Sequence, residues 1–294
     1  MVLTIYAPAK INLTLEVHGK REDGYHEISS VIQAIDLCDV LSFEAASGIE
    51  VVCDSPEWQE DKSLISQLAS LLREQSACPK GVRISLTKRI PLLSGLAGDS
   101  SDAAAALKGL NILWELGYTP GELADFAAKL GSDITFFLSG GTALVQGRGE
   151  IVIPLPSLPE MWVVLLMPAV GRTMGKTGKM YSGLDKSLFT DGEKTDILVN
   201  KLARYEDIGH ELLFNVFEKV AYNIYDGLHK CRDDFLTAGA ASVHLAGSGP
   251  TLFTPVKDKN NAFQICDGLK EQGYNACAVK TLAKGDLLRT EAAV

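Results

Sequence analysis

The sequence is poor in the features that mark membrane, secreted and nucleic-acid-binding proteins. No stretch of about 18 apolar residues runs uninterrupted, so no transmembrane helix is predicted. The opening segment MVLTIYAPAKINLTLEV has neither the charged-then-apolar layout of a signal peptide nor the Arg- and Ser-rich bias of a transit peptide. Positive charge is scarce, since 28 Lys and Arg stand against 37 Asp and Glu and give a formal net charge of -9. We therefore expect a cytoplasmic protein that binds neither nucleic acid nor an anionic membrane surface.

Paired cysteines are also missing. The six cysteines form no Cys-x-x-Cys pair and lie far from the histidines in sequence: Cys38, Cys53, Cys78, Cys231, Cys266 and Cys277. This spacing indicates neither a zinc site nor a disulfide framework. We interpret the six side chains as buried or incidental thiols.

The composition favours an ordered chain, with 46% hydrophobic and 22% charged residues over 294 positions. A chain of this length commonly divides into two domains. The proline-rich stretch PLPSLP at 154–159 cannot continue a helix or a central strand. We therefore place a boundary there and predict an N-terminal domain over 1–158 and a C-terminal domain over 159–294.

Apolar periodicity predicts the α+β class. Alternation and short apolar runs predict strands over 13–17, 31–37, 40–43, 49–52, 82–86, 162–167, 243–245, 252–255 and 277–280. A period of three to four residues predicts helices over 61–74 and 102–116, both packed on a sheet. A third helix is predicted from Thr119 to Gly131, because TPGE combines a capping Thr, a Pro at the first helical position and a Glu three residues after the cap.

One loop carries the clearest chemical signal. Residues 92–102, LLSGLAGDSSD, join the predicted strand 82–86 to a helix that begins near Asp102. Small residues before a helix expose backbone N–H groups at the positive end of the helix dipole, which favours an anion such as phosphate. The alternative is a plain strand-to-helix connection capped by Ser100 or Ser101. The loop lacks the Gly-Lys-Ser/Thr of a Walker motif.

Four further features are ambiguous when taken alone. A second glycine loop, AGSG at 246–249, either brings backbone close to a ligand or turns a hairpin. Lys10 lies in an apolar strand, where it either meets an anionic partner or faces solvent at a sheet edge. Asp133 either caps a short helix or serves as a base for a substrate hydroxyl. Tyr25 and His26 either stack on a flat ring or pack within their own loop.

Taken in order, these segments resemble a known superfamily. PAKINL near residue 10, DGYHE at 23–27, IPLLSGLAGDSSDAA at 90–104, LGSDITFFLSGGTALVQGRGE at 130–150 and AGSGPTLF at 246–253 closely resemble the GHMP kinases. Within them, the chain is similar to the family that phosphorylates 4-diphosphocytidyl-2-C-methyl-erythritol in the non-mevalonate isoprenoid pathway. The resemblance covers nearly the whole chain. It implies a two-domain GHMP kinase fold with a ferredoxin-like C-terminal domain and an active site in the cleft between the domains.

The resemblance also implies roles for individual residues. Lys10 and Asp133 match the catalytic pair, in which Asp133 takes the proton of the tertiary alcohol and Lys10 holds its charge and orientation. The substrate-binding positions match Asn12, Tyr25, His26 and Tyr181, the last of them facing Tyr25 across the cytosine. The ATP-binding positions match Leu92, Leu93, Ser94, Gly95, Leu96, Ala97, Gly98, Asp99, Ser100, Ser101, Asp102, Gly247, Ser248 and Gly249. ATP and Mg²⁺ are the implied cofactors, whereas the metal ligands and the oligomeric state stay open.

Several positions depart from the family pattern. Leu93, Ala97 and Asp99 stand where glycines are usual, and Ser63 replaces an Asn usual near the purine site. We expect Ala97 to have φ below zero, because alanine is tolerated there only in that case. Asp99 puts negative charge beside the expected triphosphate, which weakens binding unless Mg²⁺ or a basic side chain neutralises it. Two alternatives therefore remain: another GHMP small-alcohol kinase, and a homologue that only binds a ligand.

Overall fold

The chain forms two sheets with helices packed on them, in a computed structural model that describes residues 2–60, 63–170 and 175–293. The strands are β1 (Val2–Asn12), β2 (Thr14–Lys20), β3 (His26–Ala46), β4 (Ile49–Cys53), β5 (Gly81–Thr87), β6 (Thr142–Gly147), β7 (Ile151–Pro154), β8 (Trp162–Met167), β9 (Phe214–Asn215), β10 (His244–Leu245), β11 (Leu252–Val256), β12 (Asn275–Lys280) and β13 (Thr290–Ala293). The helices are α1 (Leu64–Gln75), α2 (Gly98–Leu113), α3 (Pro120–Ala128), α4 (Ser132–Ser139), α5 (Lys176–Ser182), α6 (Glu193–Ala203), α7 (Glu218–Ile224), α8 (Leu228–Thr237) and α9 (Lys259–Glu271). This mixture is the α+β class that the periodicity predicts.

The larger sheet is organised around β3, a strand of 21 residues. β3 pairs antiparallel with β1, β2, β5 and β6, while β4 pairs with β5 and β7 with β6. The sequence-based division of this strand into 31–37 and 40–43 is wrong. The apolar pattern is interrupted there by a bulge, because the register with β1 shifts between Pro8 opposite Cys38 and Ala9 opposite Ile35.

Two strands from the second half of the chain complete the larger sheet. β9 pairs parallel with β2, with Phe214 opposite Thr14, and β13 pairs antiparallel with β1, with Thr290 opposite Ile5. The other strands form an antiparallel sheet in the order β10-β11-β8-β12, against which α9 packs. The chain thus returns to the first sheet after leaving it, and the domain boundary at 158/159 stays a prediction.

The helices α1 and α3 begin at local capping signals. Ser63 is the N-cap of α1, and its hydroxyl accepts a hydrogen bond from the Ile65 N–H at 3.2 Å. The predicted start of this helix at 61 and 62 lies outside the described residues. The predicted capping box of α3 is present: Thr119 and Glu122 exchange hydrogen bonds, although the helix ends at Ala128 rather than at 131.

The helix α2 positions the functional cleft. It begins at Gly98, earlier than predicted, and packs on β1 and β3. A Cβ added to Gly109 would lie 2.4 Å from an atom of the Phe43 ring, so the helix approaches the sheet as closely as a glycine allows. This packing brings the start of α2 to the carboxyl end of β1, where the Lys10 N–H donates to the Leu96 carbonyl at 3.1 Å.

Candidate active site

A cleft of about 1160 Å³ collects most of the residues that the sequence marks. It is lined by the end of β1, both glycine loops and the starts of α2, α4 and α5. Sixteen of the predicted site residues line it: Lys10, Asn12, Tyr25, His26, Leu92, Leu93, Ser94, Gly95, Ala97, Gly98, Asp99, Ser100, Asp133, Tyr181, Gly247 and Ser248. The cleft lining does not include Leu96, Ser101, Asp102 and Gly249, which lie behind it. The tertiary structure therefore brings six separate segments of the chain to one site.

The N-terminus of α2 forms one wall of this cleft and carries no side-chain cap. Its N-cap is Ala97, and no side chain accepts a hydrogen bond from the first turn. The interpretation of the loop as a connection capped by Ser100 or Ser101 is therefore wrong. Gly98, Asp99 and Ser100 line the cleft at this end of the helix. Uncapped N–H groups at the positive end of a 16-residue helix form a site suited to phosphate.

The loop 92–102, called the phosphate loop below because it leads into the uncapped N-terminus of α2, contains two left-handed residues that are not glycine. Leu93 has φ 53° and Ala97 has φ 58°. The expectation that Ala97 has a negative φ is wrong. A left-handed conformation costs a non-glycine residue roughly 1–2 kcal/mol, because its Cβ crowds the following carbonyl. The packed surroundings of the loop must supply that energy.

The two glycine loops pack directly against each other. A Cβ on Gly95 would lie 2.2 Å from the Ala246 carbonyl oxygen, and a Cβ on Gly247 would lie 2.8 Å from the Gly95 oxygen. The Thr251 N–H also donates to the Ser94 carbonyl at 3.2 Å. The second loop is therefore part of the same site and does not merely turn a hairpin, because only glycine permits this approach of backbone to backbone.

Lys10 is buried at the base of the cleft, with 5% of its surface exposed, and does not face solvent at a sheet edge. Its ammonium donates to Asn12 Oδ1 at 2.8 Å, and the Asn12 amide donates in turn to the Ser30 hydroxyl at 2.8 Å. Burial lowers the pKa of Lys10, and the negative charge of Asp133 opposes that shift. The hydrogen bonds from Lys10 to Asn12 and from Asn12 to Ser30 hold the ammonium in the cleft that the two glycine loops and Asp133 also line.

Asp133 lies in the first turn of α4, where Gly131 is the N-cap and no side-chain cap is formed. The interpretation of Asp133 as a helix cap is therefore wrong. Its carboxylate makes no hydrogen bond or ion pair with the described part of the chain. Because Asp133 lines the cleft and interacts electrostatically with Lys10 and Tyr181, it is available to a ligand. A partly buried carboxylate beside a buried ammonium is an arrangement suited to proton abstraction from a hydroxyl.

An aromatic group forms the opposite end of the cleft. His26 stacks on Tyr181 with ring centroids 4.7 Å apart and an interplanar angle of 17°. Burial and the nearby Asp133 raise the pKa of Tyr181 to about 12. Tyr25 is 57% exposed, and the Arg148 guanidinium lies 4.8 Å from its ring centroid. These flat faces at the mouth of the cleft suit a planar ring.

A buried charge cluster lies behind the phosphate loop. The Lys88 ammonium is 2.6 Å from Asp39 and 2.8 Å from Asp102, and Asp99 lies 3.9 Å away. Burial raises the pKa of Asp102 well above its usual range, against the opposing effect of Lys88. Asp102 is thus part of a structural cluster and does not line the cleft.

Sequence reasoning missed six basic residues of the cleft: Lys20, Arg21, Lys88, Arg148, Lys176 and Lys186. Lys88 follows β5 shortly before the segment 90–104, and Arg148 lies between Gly147 and Gly149 inside the segment 130–150, so both belong to or adjoin segments that the sequence marks. Lys176 precedes Thr177 without any pattern of its own. Its place in the cleft depends on the path of the chain after β8.

Within residues 2–60, 63–170 and 175–293 there is neither a cluster of metal ligands nor a membrane-spanning helix. No group of three or more His, Cys, Asp or Glu in these ranges could hold a metal ion. None of the helices described there is both long and apolar enough to cross a membrane. The six cysteines are free thiols.

Comparison with known proteins gives matches along nearly the whole chain. Two family models match, GHMP kinases N terminal domain over 63–141 and GHMP kinases C terminal over 198–275. A 4-diphosphocytidyl-2-C-methyl-D-erythritol kinase of Dehalococcoides mccartyi is 48% identical over 285 residues, covering 97% of this chain and 100% of that protein. The kinase of the same name from Geobacillus kaustophilus is 40% identical over 289 residues, covering 97% of this chain and 98% of that one.

Solved structures agree with these matches. A crystal structure of 4-(cytidine 5'-diphospho)-2C-methyl-D-erythritol kinase superposes with a TM-score of 0.80 at 31% identity, covering 95% of this chain and 98% of that one. A homoserine kinase from Cytophaga hutchinsonii superposes with a TM-score of 0.76 at 19% identity, covering 99% and 96%, and so shares the fold alone. The predicted GHMP kinase fold is therefore confirmed, and with it ATP-dependent phosphotransfer. The chain belongs to the GHMP kinases and, within them, to the family of 4-diphosphocytidyl-2-C-methyl-D-erythritol kinases.

Proposed function

We propose that this protein phosphorylates the 2-hydroxyl of 4-diphosphocytidyl-2-C-methyl-D-erythritol with ATP, as a cytoplasmic enzyme of non-mevalonate isoprenoid synthesis. The observation that carries the proposal is the convergence of Lys10, Asp133 and the uncapped N-terminus of α2 on one cleft. The names of full-length relatives support the choice of acceptor. Phosphoryl transfer requires mainly positioning and charge stabilisation, and these residues supply both.

In the proposed reaction, Asp133 accepts the proton of the substrate hydroxyl as its oxygen attacks the γ-phosphorus. The bond from that phosphorus to the β–γ bridging oxygen breaks, and ADP leaves. Lys10, fixed by Asn12, holds the acceptor oxygen and the transferred group in line. The N–H groups of the α2 N-terminus stabilise charge on the phosphate oxygens.

The aromatic end of the cleft is the proposed site of the cytidine. The stacked pair of His26 and Tyr181 and the exposed ring of Tyr25 present planar faces to a base, and each stacked base contributes roughly 1–3 kcal/mol. Asn12, beside Lys10, is placed to contact the methylerythritol between the two ends.

A second cavity of about 320 Å³ is the proposed site of the adenine. It shares Lys88, Pro91 and Leu92 with the main cleft, so the two spaces meet at the start of the phosphate loop. Asp54 and Ile90 also line it. A nucleotide whose triphosphate lies on the α2 N-terminus has its base within reach of this cavity.

Mg²⁺ is the metal proposed to accompany ATP. The cleft offers hard oxygen donors in the Ser100 hydroxyl and the Asp133 carboxylate, which fit the preference of Mg²⁺. The lack of a three-residue cluster among the described residues fits an ion held mainly by phosphates and water. When bound, Mg²⁺ neutralises part of the charge on the phosphates.

The experiment that tests this function measures ADP release with the cytidine-diphosphate methylerythritol, mevalonate and homoserine as acceptors. We expect turnover with the first alone. Asp133→Asn should fold normally and lose about 10²-fold or more in kcat, because an amide cannot accept the proton. The matched control is Asp125→Asn on the exposed face of α3, which should keep full activity.

Three outcomes would contradict the proposal. Equal turnover with mevalonate or homoserine would favour another small-alcohol kinase. Binding of ATP and of the cytidine-diphosphate methylerythritol without turnover would favour a homologue that only binds ligands. Near-normal kcat in a folded Asp133→Asn protein would remove Asp133 from the role of base.

A further inference from the structure

Lys176, the first residue of α5, reaches both glycine loops with one buried ammonium. Its Nζ donates to the Leu93 carbonyl of the phosphate loop and to the Gly249 carbonyl of the second loop. Only 6% of its surface is exposed, yet it lines the main cleft. A single side chain from α5 therefore connects the two loops that form the phosphate end of the site.

The contact with Leu93 falls on a strained position. Leu93 has φ 53°, which is costly for a residue with a branched side chain and stands where the family usually has glycine. A hydrogen bond from an ammonium to the carbonyl of that residue holds its peptide group in place, and charged donors form stronger bonds than neutral ones. The sequence departure at Leu93 and the presence of Lys176 are thus linked by a direct contact.

We propose that Lys176 is a positioning residue for phosphate binding, which clamps the phosphate loop onto the second loop in the geometry that accepts the terminal phosphates. The proposal rests on the proposed use of ATP at this cleft. The neighbouring contact of Thr177 Oγ1 with Ser248 Oγ at 3.1 Å anchors the same end of α5 to the second loop. Without the ammonium, the loops would still form, but Leu93 would leave the left-handed conformation more readily.

The test compares nucleotides of different phosphate number. Affinities of ATP, ADP and AMP are measured by calorimetry for the wild type, Lys176→Met and Lys176→Arg, without any acceptor present. For Lys176→Met we expect about tenfold or greater loss for ATP, a smaller loss for ADP and almost none for AMP, because only the outer phosphates rest on the clamped loop. Lys176→Arg should recover part of the loss. Lys179→Met, an exposed lysine of the same helix, is the matched control and should bind like the wild type.

A second measurement tests the link to Leu93. Leu93→Gly removes the left-handed strain, so the loss of ATP affinity caused by Lys176→Met should be at least about twofold smaller in the Leu93→Gly background. Equal losses for all three nucleotides, or strictly additive effects of the two substitutions, would overturn the proposal. Unchanged ATP affinity in Lys176→Met would overturn it as well.

These results are independent of the acceptor. If the wild type binds ATP but phosphorylates none of the three alcohols, the proposed function fails while the nucleotide series still decides the role of Lys176. If Lys176→Met does not fold, Lys176→Gln provides the same nucleotide comparison with a neutral hydrogen-bond donor.

Discussion

At the scale of single residues, the phosphate loop has more strain than a glycine loop would have. Ala97 adopts φ 58° at the N-cap of α2, where its methyl group brings no capping hydrogen bond. A glycine at this position would have no Cβ to crowd the carbonyl, although it would cost more entropy on folding.

We expect Ala97→Gly to raise the free energy of unfolding by roughly 0.5–1 kcal/mol, because the relief of left-handed strain exceeds the added entropy cost. The measurement is urea denaturation. The control is Ala105→Gly, which is fully buried in the same helix and should lower stability by about 1 kcal/mol or more. A destabilised Ala97→Gly protein would show that the contacts of the methyl group outweigh its strain.

Asp99 is the second departure at this scale. Its carboxylate is 3.9 Å from the Lys88 ammonium, but that ammonium already contacts Asp39 and Asp102 at shorter distances. Lys88 is therefore a weak source of neutralisation for Asp99. The Asp99 side chain is 54% exposed and lines the cleft. Water and salt therefore screen part of the repulsion between its carboxylate and a bound triphosphate.

We expect Asp99→Asn to tighten ATP binding about two- to tenfold in the absence of Mg²⁺, because repulsion is removed while the side-chain shape is kept. The measurement is an ATP titration of wild type and variant with and without Mg²⁺. Weaker binding of the variant seen only with Mg²⁺ would mean that Asp99 holds the metal instead. The substitution also removes a favourable charge at the α2 N-terminus, so a stability loss of a few tenths of a kcal/mol should accompany it.

At the scale of elements, the site depends on two loops that meet through glycine backbones. Gly95 has φ 90° and a Cβ there would lie 2.2 Å from the Ala246 oxygen, a contact that neither backbone can relieve without moving. With alanine at position 95 the two glycine loops would separate, and the hydrogen bond between them from the Thr251 N–H to the Ser94 carbonyl would be lost.

We expect Gly95→Ala to abolish measurable ATP binding or weaken it by about 10²-fold, and to cost several kcal/mol of stability. The control is Gly117→Ala, which also has a left-handed φ, 74°, but meets nothing within 4 Å. That variant should lose only about 1 kcal/mol of stability and bind ATP normally. If the two variants behave alike, backbone strain alone and not the loop contact determines the result.

At the scale of the whole molecule, a strand from the second half of the chain joins the larger sheet and holds part of the site in place. Asn215 lies in β9, which pairs with β2, and its amide donates to the Leu245 carbonyl at 2.9 Å and to the Gly247 carbonyl at 2.8 Å. One buried side chain thus links the larger sheet to the second glycine loop.

We expect Asn215→Ala to lower the free energy of unfolding by about 2–4 kcal/mol, because two buried carbonyls lose their donor. ATP affinity should fall as well, since Gly247 lines the cleft. Denaturant unfolding and ATP titration measure the two effects. Asn200→Ala, an exposed asparagine of α6, is the control and should change stability by less than about 0.5 kcal/mol. A loss of stability with normal ATP affinity would show that the second glycine loop keeps its ATP-binding geometry without the Asn215 hydrogen bonds.

Signals that act over a few residues could be predicted from the sequence alone. The capping box of Thr119 and Glu122 and the strand Trp162–Met167 were predicted correctly, because caps and short apolar runs depend on neighbours in the chain. The order of the motifs around Lys10, Asp133 and the two loops was also sufficient to indicate the family. These features require no knowledge of how distant segments meet.

The assembly of the site depends on contacts between segments that are distant in the sequence. The burial of Lys10 depends on strands and loops packed around it, and the clamp from Lys176 to Leu93 joins residues that are 83 positions apart. The left-handed φ of Ala97 contradicts the local preference of alanine, so the residue type does not predict it. Such features could not be predicted from local patterns, because their energies come from contacts that exist only after the two sheets and both loops have packed together.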